Sequence, residues 1–397
     1  MLLSLPSFEA PKNIFLILFL LTSFYRQFSQ KNITSWAVWD TIFLTYIISS
    51  FLSVIFAGIP GGNEWGGFRS DVIWISLAWI LSRTKFTEKE VSWIIWVAIL
   101  ATIPPLIWGL FEYLFLHSKA NLELHSVGHV NHSAIYLGII LGATLSLSLS
   151  SWKDANIIRS IIIIMLPIIF FIAIIIAQSR GVFGISLIRL SLIIFLIPNP
   201  KKIKLFSFVI FFLILILMPV MKAPIIEKQI SAQKNNDLLS DRQSAWNVSI
   251  EAWHGNPIFG VGNGNWNRIT HDDLKKYREE RNLSYDEKKY ALEYKHSHSL
   301  YLAALSERGL IGLMALIVFM TQWLITLVKS YRTIKVSNQG SILWGGSLSA
   351  WIVTFGVGIV NTTFHHEHAI LALLFLGLHL GHLNHKKKSK QPIPNQK

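Results

Sequence analysis

Residues 157–177 read IIRSIIIIMLPIIFFIAIIIA. Such a run is long enough for an α-helix to cross the roughly 30 Å of a bilayer's hydrocarbon, and it carries one charge, Arg159. Similar runs recur at Asn13–Phe28, Trp36–Ile59, Asp71–Leu81, Val91–Phe115, Ser133–Ser151, Val182–Ile197, Leu205–Met221, Leu310–Val328, Ser341–Val360 and His368–Leu383. Across 397 residues, 52% are hydrophobic and 15% charged. A soluble core does not repeat long apolar runs with such short connections. The pattern predicts an all-α polytopic membrane protein of about 11–12 transmembrane helices with one large polar loop outside the membrane. The first run has no small-residue cleavage site after it and reads as an uncleaved span.

The formal net charge is +14, and there is no cysteine. Thiol chemistry and disulfides are excluded. Lys and Arg gather in alternate short connections: Arg83/Lys85/Lys89, Lys153/Arg159, Lys201/Lys202/Lys204, Lys329/Arg332/Lys335 and Lys386-Lys387-Lys388. A nucleic acid needs one contiguous basic surface, whereas these groups sit at separate helix ends, so no nucleic-acid partner is expected. Placed in the cytoplasm, they satisfy the positive-inside rule. Residues near 58–70, 116–132, 178–181, 222–298 and 361–367 then face outward. Eleven spans put the N-terminus outside; a twelfth, from a re-entrant N-terminal segment, puts both ends inside. The expected organisation is an N-terminal bundle over 1–221, a periplasmic loop with an interfacial helix over 222–297, C-terminal helices over 298–385, and a basic cytoplasmic tail over 386–397.

The outer side carries the residues that can do chemistry. Arg180, in Gln178-Ser179-Arg180-Gly181, lies between apolar runs with no neighbouring acid; it is either an interfacial anchor snorkelling to lipid phosphate or a functional cation. Arg242 opens a helical stretch that Ser240 or Asp241 can cap, with Trp246, Ile250 and Trp253 on one face at headgroup depth. It is either a helix-start arginine or a ligand-facing one. Gly260-Val261-Gly262-Asn263-Gly264 after Pro257 is either a tight turn or an anion-binding nest of amides. His298, where the loop returns to apolar sequence, is either a loop-end polar residue or a general base. His129, His132, His296, His365, His366 and His368 with Glu367 leave open a metal site or plain helix capping. The stretch 270–295 mixes both signs of charge and reads as a solvated helical hairpin or flap.

In order, Ser179-Arg180-Gly181, Arg242 with Trp246, Pro257 through Gly264, and His298-Ser299-Leu300-Tyr301-Leu302 running into Glu307-Arg308-Gly309-Leu310-Ile311-Gly312 resemble the O-antigen ligase and O-antigen polymerase family of bacterial inner-membrane proteins, over about residues 175–315. Ser299 departs from the family, which commonly has asparagine after the histidine. The resemblance implies glycan transfer from an undecaprenyl-diphosphate-linked donor at the periplasmic face. The acceptor is a lipid A-core sugar in a ligase, or a second lipid-linked repeat unit in a polymerase. It implies His298, Arg242 and Arg180 as catalytic residues, with Ser179, Trp246, Gly260, Gly262, Gly264 and Tyr301 on the substrate. The only other partners implied are membrane lipids, with no cofactor and no metal. Arginine forks match phosphate oxygens, and histidine can take the acceptor's proton in an inverting displacement. A short chain with one large outer loop favours the ligase. The alternative of another class is a transporter with an outer histidine metal site; Pro104-Pro105 and Pro167 interrupt spans as transporter helices do, without matching halves.

Overall fold

The computed structural model describes residues 1–29, 36–124, 127, 129–151, 156–198, 201–220, 224–234, 242–332 and 337–388. Among these there are helices and turns and no strand. The elements are α1 (Glu9–Ser29), α2 (Val38–Ile55), α3 (Glu64–Arg83), α4 (Glu88–Leu100), α5 (Ile103–Leu114), α6 (Val130–Ser151), α7 (Ile157–Ile176), α8 (Arg180–Leu196), α9 (Lys201–Val220), α10 (Pro224–Lys234), α11 (Arg242–Gly255), α12 (His271–Glu279), α13 (Leu300–Ser330), α14 (Asn338–Trp351) and α15 (His366–Lys388). A π-helical turn, Ile352–Val357, continues α14. This is an all-α polytopic membrane protein.

Among the described residues, six elements are long and apolar enough to cross a bilayer: α2, α4 with α5, α6, α7, α13, and α14 with its π turn. That is fewer than the eleven or twelve expected. The helices α1, α3 and α15 carry more polar residues, α8 is only 17 residues long, and the apolar part of α9 is short. These five nevertheless pack within the same bundle, α1 on α3, α3 on α15 and α2, α8 on α6, and α9 on α8.

Pairings at the helix ends define the two ends of the bundle. Lys12 of α1 forms a buried ion pair with Glu367 of α15. Just past α2, the Gly58 amide donates to the Gly260 carbonyl (3.0 Å). These contacts mark the end that bears the long polar loop. At the far end Arg83 pairs with Asp40 (2.6 Å), Trp79 donates to the same carboxylate, and Tyr331 Oη donates to the Leu196 carbonyl (3.1 Å). Arg83, Lys204 and Arg332 therefore share one end, as the charge pattern anticipated. Lys153 and Lys335 lie outside the described residues, as does the tail from residue 389. Because α1 and α15 start at the same end, the described helices agree with the odd count of passes.

The centre of the bundle is made by α6 and α14, both buried along most of their length. Small residues allow the approach: Gly142 lies against Ser349 and Gly345 against Ser146. Without a hydrophobic drive between helices in lipid, such close packing supplies the association energy. Pro104-Pro105 coincides with the break between α4 and α5, whereas α7 continues through Pro167. Tight packing of Leu166 and Phe170 beside Pro167 holds α7 together.

Candidate functional site

Three of the expected site residues occupy equivalent places on three different helices. Arg180 is the first residue of α8, and Arg242 is the first residue of α11. His298 directly precedes Ser299, the N-cap of α13. The positive end of a helix dipole repels a cation, so an arginine at such a position favours an anion beside it. Ser240 and Asp241, the expected caps of α11, lie outside the described residues.

The backbone is bent at each approach. Gln178, His298 and His366, just before or at the starts of α8, α13 and α15, have φ of 55°, 51° and 52°. Non-glycine residues in this left-handed region are uncommon and gather at functional sites. Ser179 Oγ donates to Asn131 Oδ1 (2.9 Å), which ties the α7–α8 turn to the start of α6. Ser179 is thus a buried brace for the turn that presents Arg180.

His298 is half-buried, and its Nδ1 is buried with no hydrogen-bond partner. Its ring lies 4.0 Å from that of His296 and 5.1 Å from that of Tyr294, centroid to centroid. Burial, then the neighbouring His296, Arg242 and His129, push its pKa down to about 3. Burial and His129 likewise lower that of His296. The structure therefore brings Arg242 and His298, distant in sequence, into one electrostatic neighbourhood, and leaves the imidazole neutral.

The other histidines form an adjoining stack. His132 lies 5.3 Å from His129, 4.7 Å from His365 and 5.4 Å from His368. Among the described residues, however, no group of three or more His, Cys, Asp or Glu is arranged to hold a metal ion.

Helix α11 buries Ala245, Val248, Ser249 and Ala252 against α13 and α12. The tryptophan face lies to the side, with Trp246 and Trp253 half-buried and Ile250 exposed. Trp253 Nε1 donates to the Pro257 carbonyl (3.2 Å), and Trp246 Nε1 is buried without a partner.

Of the two readings of Gly260, Gly262 and Gly264, the structure shows the tight turn, with the amides engaged by protein acceptors rather than open as an anion nest. The Gly260 amide donates to the Asn256 carbonyl (3.0 Å) and the Gly262 amide to the Glu307 carbonyl (2.9 Å). The Gly264 amide serves the Glu307 carboxylate. A Cβ on Gly260 would overlap the backbone of Glu307 and Arg308. The facing residue, Gly309, kinks α13 with φ 64° and ψ −163°, and a Cβ there would overlap the Ile258 carbonyl. The two motifs that look separate in sequence are one close backbone contact. Tyr301 also turns inward: its hydroxyl donates to the Phe355 carbonyl (2.9 Å).

Residues 270–295 form one short helix, α12, and 3₁₀ turns. Of the two readings, hairpin or flap, a helical hairpin is absent among them, and Glu251 of α11 gathers this segment. It accepts from Arg278 (3.2 Å) and from Arg281, with Tyr290 Oη at 3.4 Å. Leu274 and Tyr277 are buried beneath. Glu251 was not singled out from the sequence; its place on the buried side of α11, one residue before Ala252, was the available signal.

A multi-pass helical bundle with a basic, histidine-lined site at one end is the class defined here. The family model described as O-antigen ligase matches residues 165–317, the part that contains Arg180, Arg242, the glycine turn and His298. The match supports an O-antigen ligase or polymerase type of function, with a lipid-linked glycan and a lipid acceptor as its general partners, and a glycosyltransferase-like enzyme. No curated protein matches the chain.

Proposed function

We propose that this protein is a lipopolysaccharide O-antigen ligase. In this reading it moves an O-antigen glycan from undecaprenyl diphosphate to a lipid A-core sugar hydroxyl at the periplasmic face of a bacterial inner membrane. The observation that carries the reading is the convergence of Arg242 with His298, each at the start of its own helix, where the field favours an anion. Arg180, at the equivalent position on α8, is the second cation of the site.

Arg180 and Arg242 hold the diphosphate through bidentate, charge-assisted hydrogen bonds. The acceptor oxygen attacks the anomeric carbon as the bond from that carbon to the phosphate oxygen breaks. The acceptor's proton passes to a ring nitrogen of His298, and the diphosphate departs with its charge on the arginines. A single displacement inverts the anomeric configuration and needs no metal. In the free protein His298 is neutral but a weak base. The negative donor restores its proton affinity on binding, when a base is needed. Trp246, with its unpartnered indole N–H on the half-buried face of α11, is the side chain we assign to a donor sugar.

The experiment is in two parts. Purified protein with Arg242→Ala or His298→Ala should lose transfer; near wild-type rates in both would refute the mechanism. Deletion of the gene should remove every O-antigen band from the lipopolysaccharide ladder. A core bearing one repeat unit would instead identify a polymerase.

A further inference from the structure

We infer that the buried Asp71–Arg308 ion pair, together with Asn263, is a positioning element that sets Arg242 relative to His298; the catalytic consequence rests on the function proposed above. Asp71 of α3 and Arg308 of α13 are 7% and 5% exposed, and their closest charged atoms are 3.6 Å apart. Asp71 Oδ2 also accepts from Ser50 Oγ and Asn263 Nδ2, both at 2.8 Å. The Arg308 guanidinium lies 4.6 Å from the centre of the Tyr46 ring. Thus α2, α3, α13 and the glycine turn meet at one buried charge cluster.

A buried pair is seldom the most stable choice, since apolar side chains of like size often do as well. Here the geometry is also loose, because Arg308 Nη1 has no hydrogen-bond partner. What the cluster does supply is location. Arg308 immediately precedes the Gly309 kink, where Val261 and Gly262 donate to the Ser306 and Glu307 carbonyls (2.8 and 2.9 Å). Asn263 leads to Trp266, whose Nε1 donates to Ser249 Oγ of α11 (2.8 Å). Arg242 lies two helical turns before Ser249, about 10 Å away. In the other direction α13 runs from Arg308 back to Ser299 and His298, about 14 Å. The cluster is the joint between the arm that carries the arginine and the arm that carries the histidine.

The chain has no cysteine, so single cysteines for spin labels can be placed at Gln243 and Lys295, both exposed, in the full-length protein in lipid nanodiscs. Asp71→Asn leaves Arg308 uncompensated and should broaden the label-to-label distance distribution. It should also lower kcat by about tenfold or more, as expected for misplacement near 1 Å. Asp71→Asn combined with Arg308→Met removes both charges and should restore a narrow distribution and most of kcat. Unchanged distances in Asp71→Asn would overturn the inference, as would a double variant whose distances stay broad. If Asp71→Asn does not fold, Arg308→Lys takes its place in the same comparison. Arg242→Ala and His298→Ala serve as controls: full transfer by both refutes the proposed function, while the distances still judge the positioning element.

Discussion

Because burial, His296, Arg242 and His129 hold His298 near pKa 3, an assay of glycan transfer from pH 8 down to pH 5 separates this site from one built on an ordinary histidine. A base with the usual pKa of about 6.5 would be only about 3% neutral at pH 5, a loss of about 30-fold in kcat/KM. His298 remains almost wholly neutral at pH 5, so kcat/KM, which reports the free enzyme, should stay nearly flat across that range. With the diphosphate donor bound, added negative charge raises the pKa, and the acid limb of kcat should appear at higher pH than that of kcat/KM. Arg242→Met removes a positive neighbour and should move the limb of the residual kcat/KM upward. The assay is transfer of a labelled lipid-linked glycan by protein in nanodiscs. An acid limb of kcat/KM centred near pH 6.5 in the wild type would refute this account of the site. The same shift acts on stability. The unfolded chain takes up a proton below about pH 6.5 that folded His298 refuses until about pH 3, so stability falls as pH drops through that window. His298→Asn should therefore show a smaller fall in melting temperature between pH 7 and 5 than the wild type.

Three further outcomes are expected. Gly309→Ala, at a backbone conformation open essentially to glycine alone and against the Ile258 carbonyl, should destabilise the protein by about 3 kcal/mol; an unchanged denaturation midpoint would show that the kink relaxes freely. Glu251→Gln withdraws the charge that gathers Arg278 and Arg281 and should speed hydrogen exchange across 270–290 while α13 stays protected; equal exchange in both would refute the anchoring role. Arg242→Lys keeps the charge but loses the bidentate fork, and should lower kcat by tenfold or more; a rate within twofold of wild type would reduce Arg242 to a point charge.

Much of the architecture was legible before any coordinates, because apolar length and charge bias act locally. A run such as 157–177 must find hydrocarbon, and Arg83, Lys204 and Arg332 do share one end of the bundle. The count of strongly apolar spans was less legible. Helices such as α3 and α15 bury polar residues inside the bundle, Asp71 beside Arg308 and Glu367 beside Lys12, and hydropathy alone cannot tell a polar face turned to a neighbour from one turned to water. Of the candidate site, Arg180 and His298 stood out as ionisable residues beside apolar sequence, and Arg242 as the start of a helical stretch in the polar loop. The choice between tight turn and amide nest at Gly260–Gly264 stayed open in the sequence because the turn's partner, Gly309, lies far along the chain. Asp71 gave no signal, since a lone aspartate in an apolar run shows neither its burial nor its partner.

By itself, then, the sequence determined that this is a membrane bundle, where its polar loop interrupts it, and which charged residues lie beside the apolar runs, because each of these follows from the transfer energy of short contiguous segments. Only the tertiary structure decided that Arg242 lies in the electrostatic neighbourhood of His298, that burial lowers the pKa of that imidazole, and that Asp71, Asn263 and Arg308 form one buried cluster. Those are contacts between residues far apart in the chain. They exist only once the kink at Gly309 and the turn at Gly260 have closed on one another.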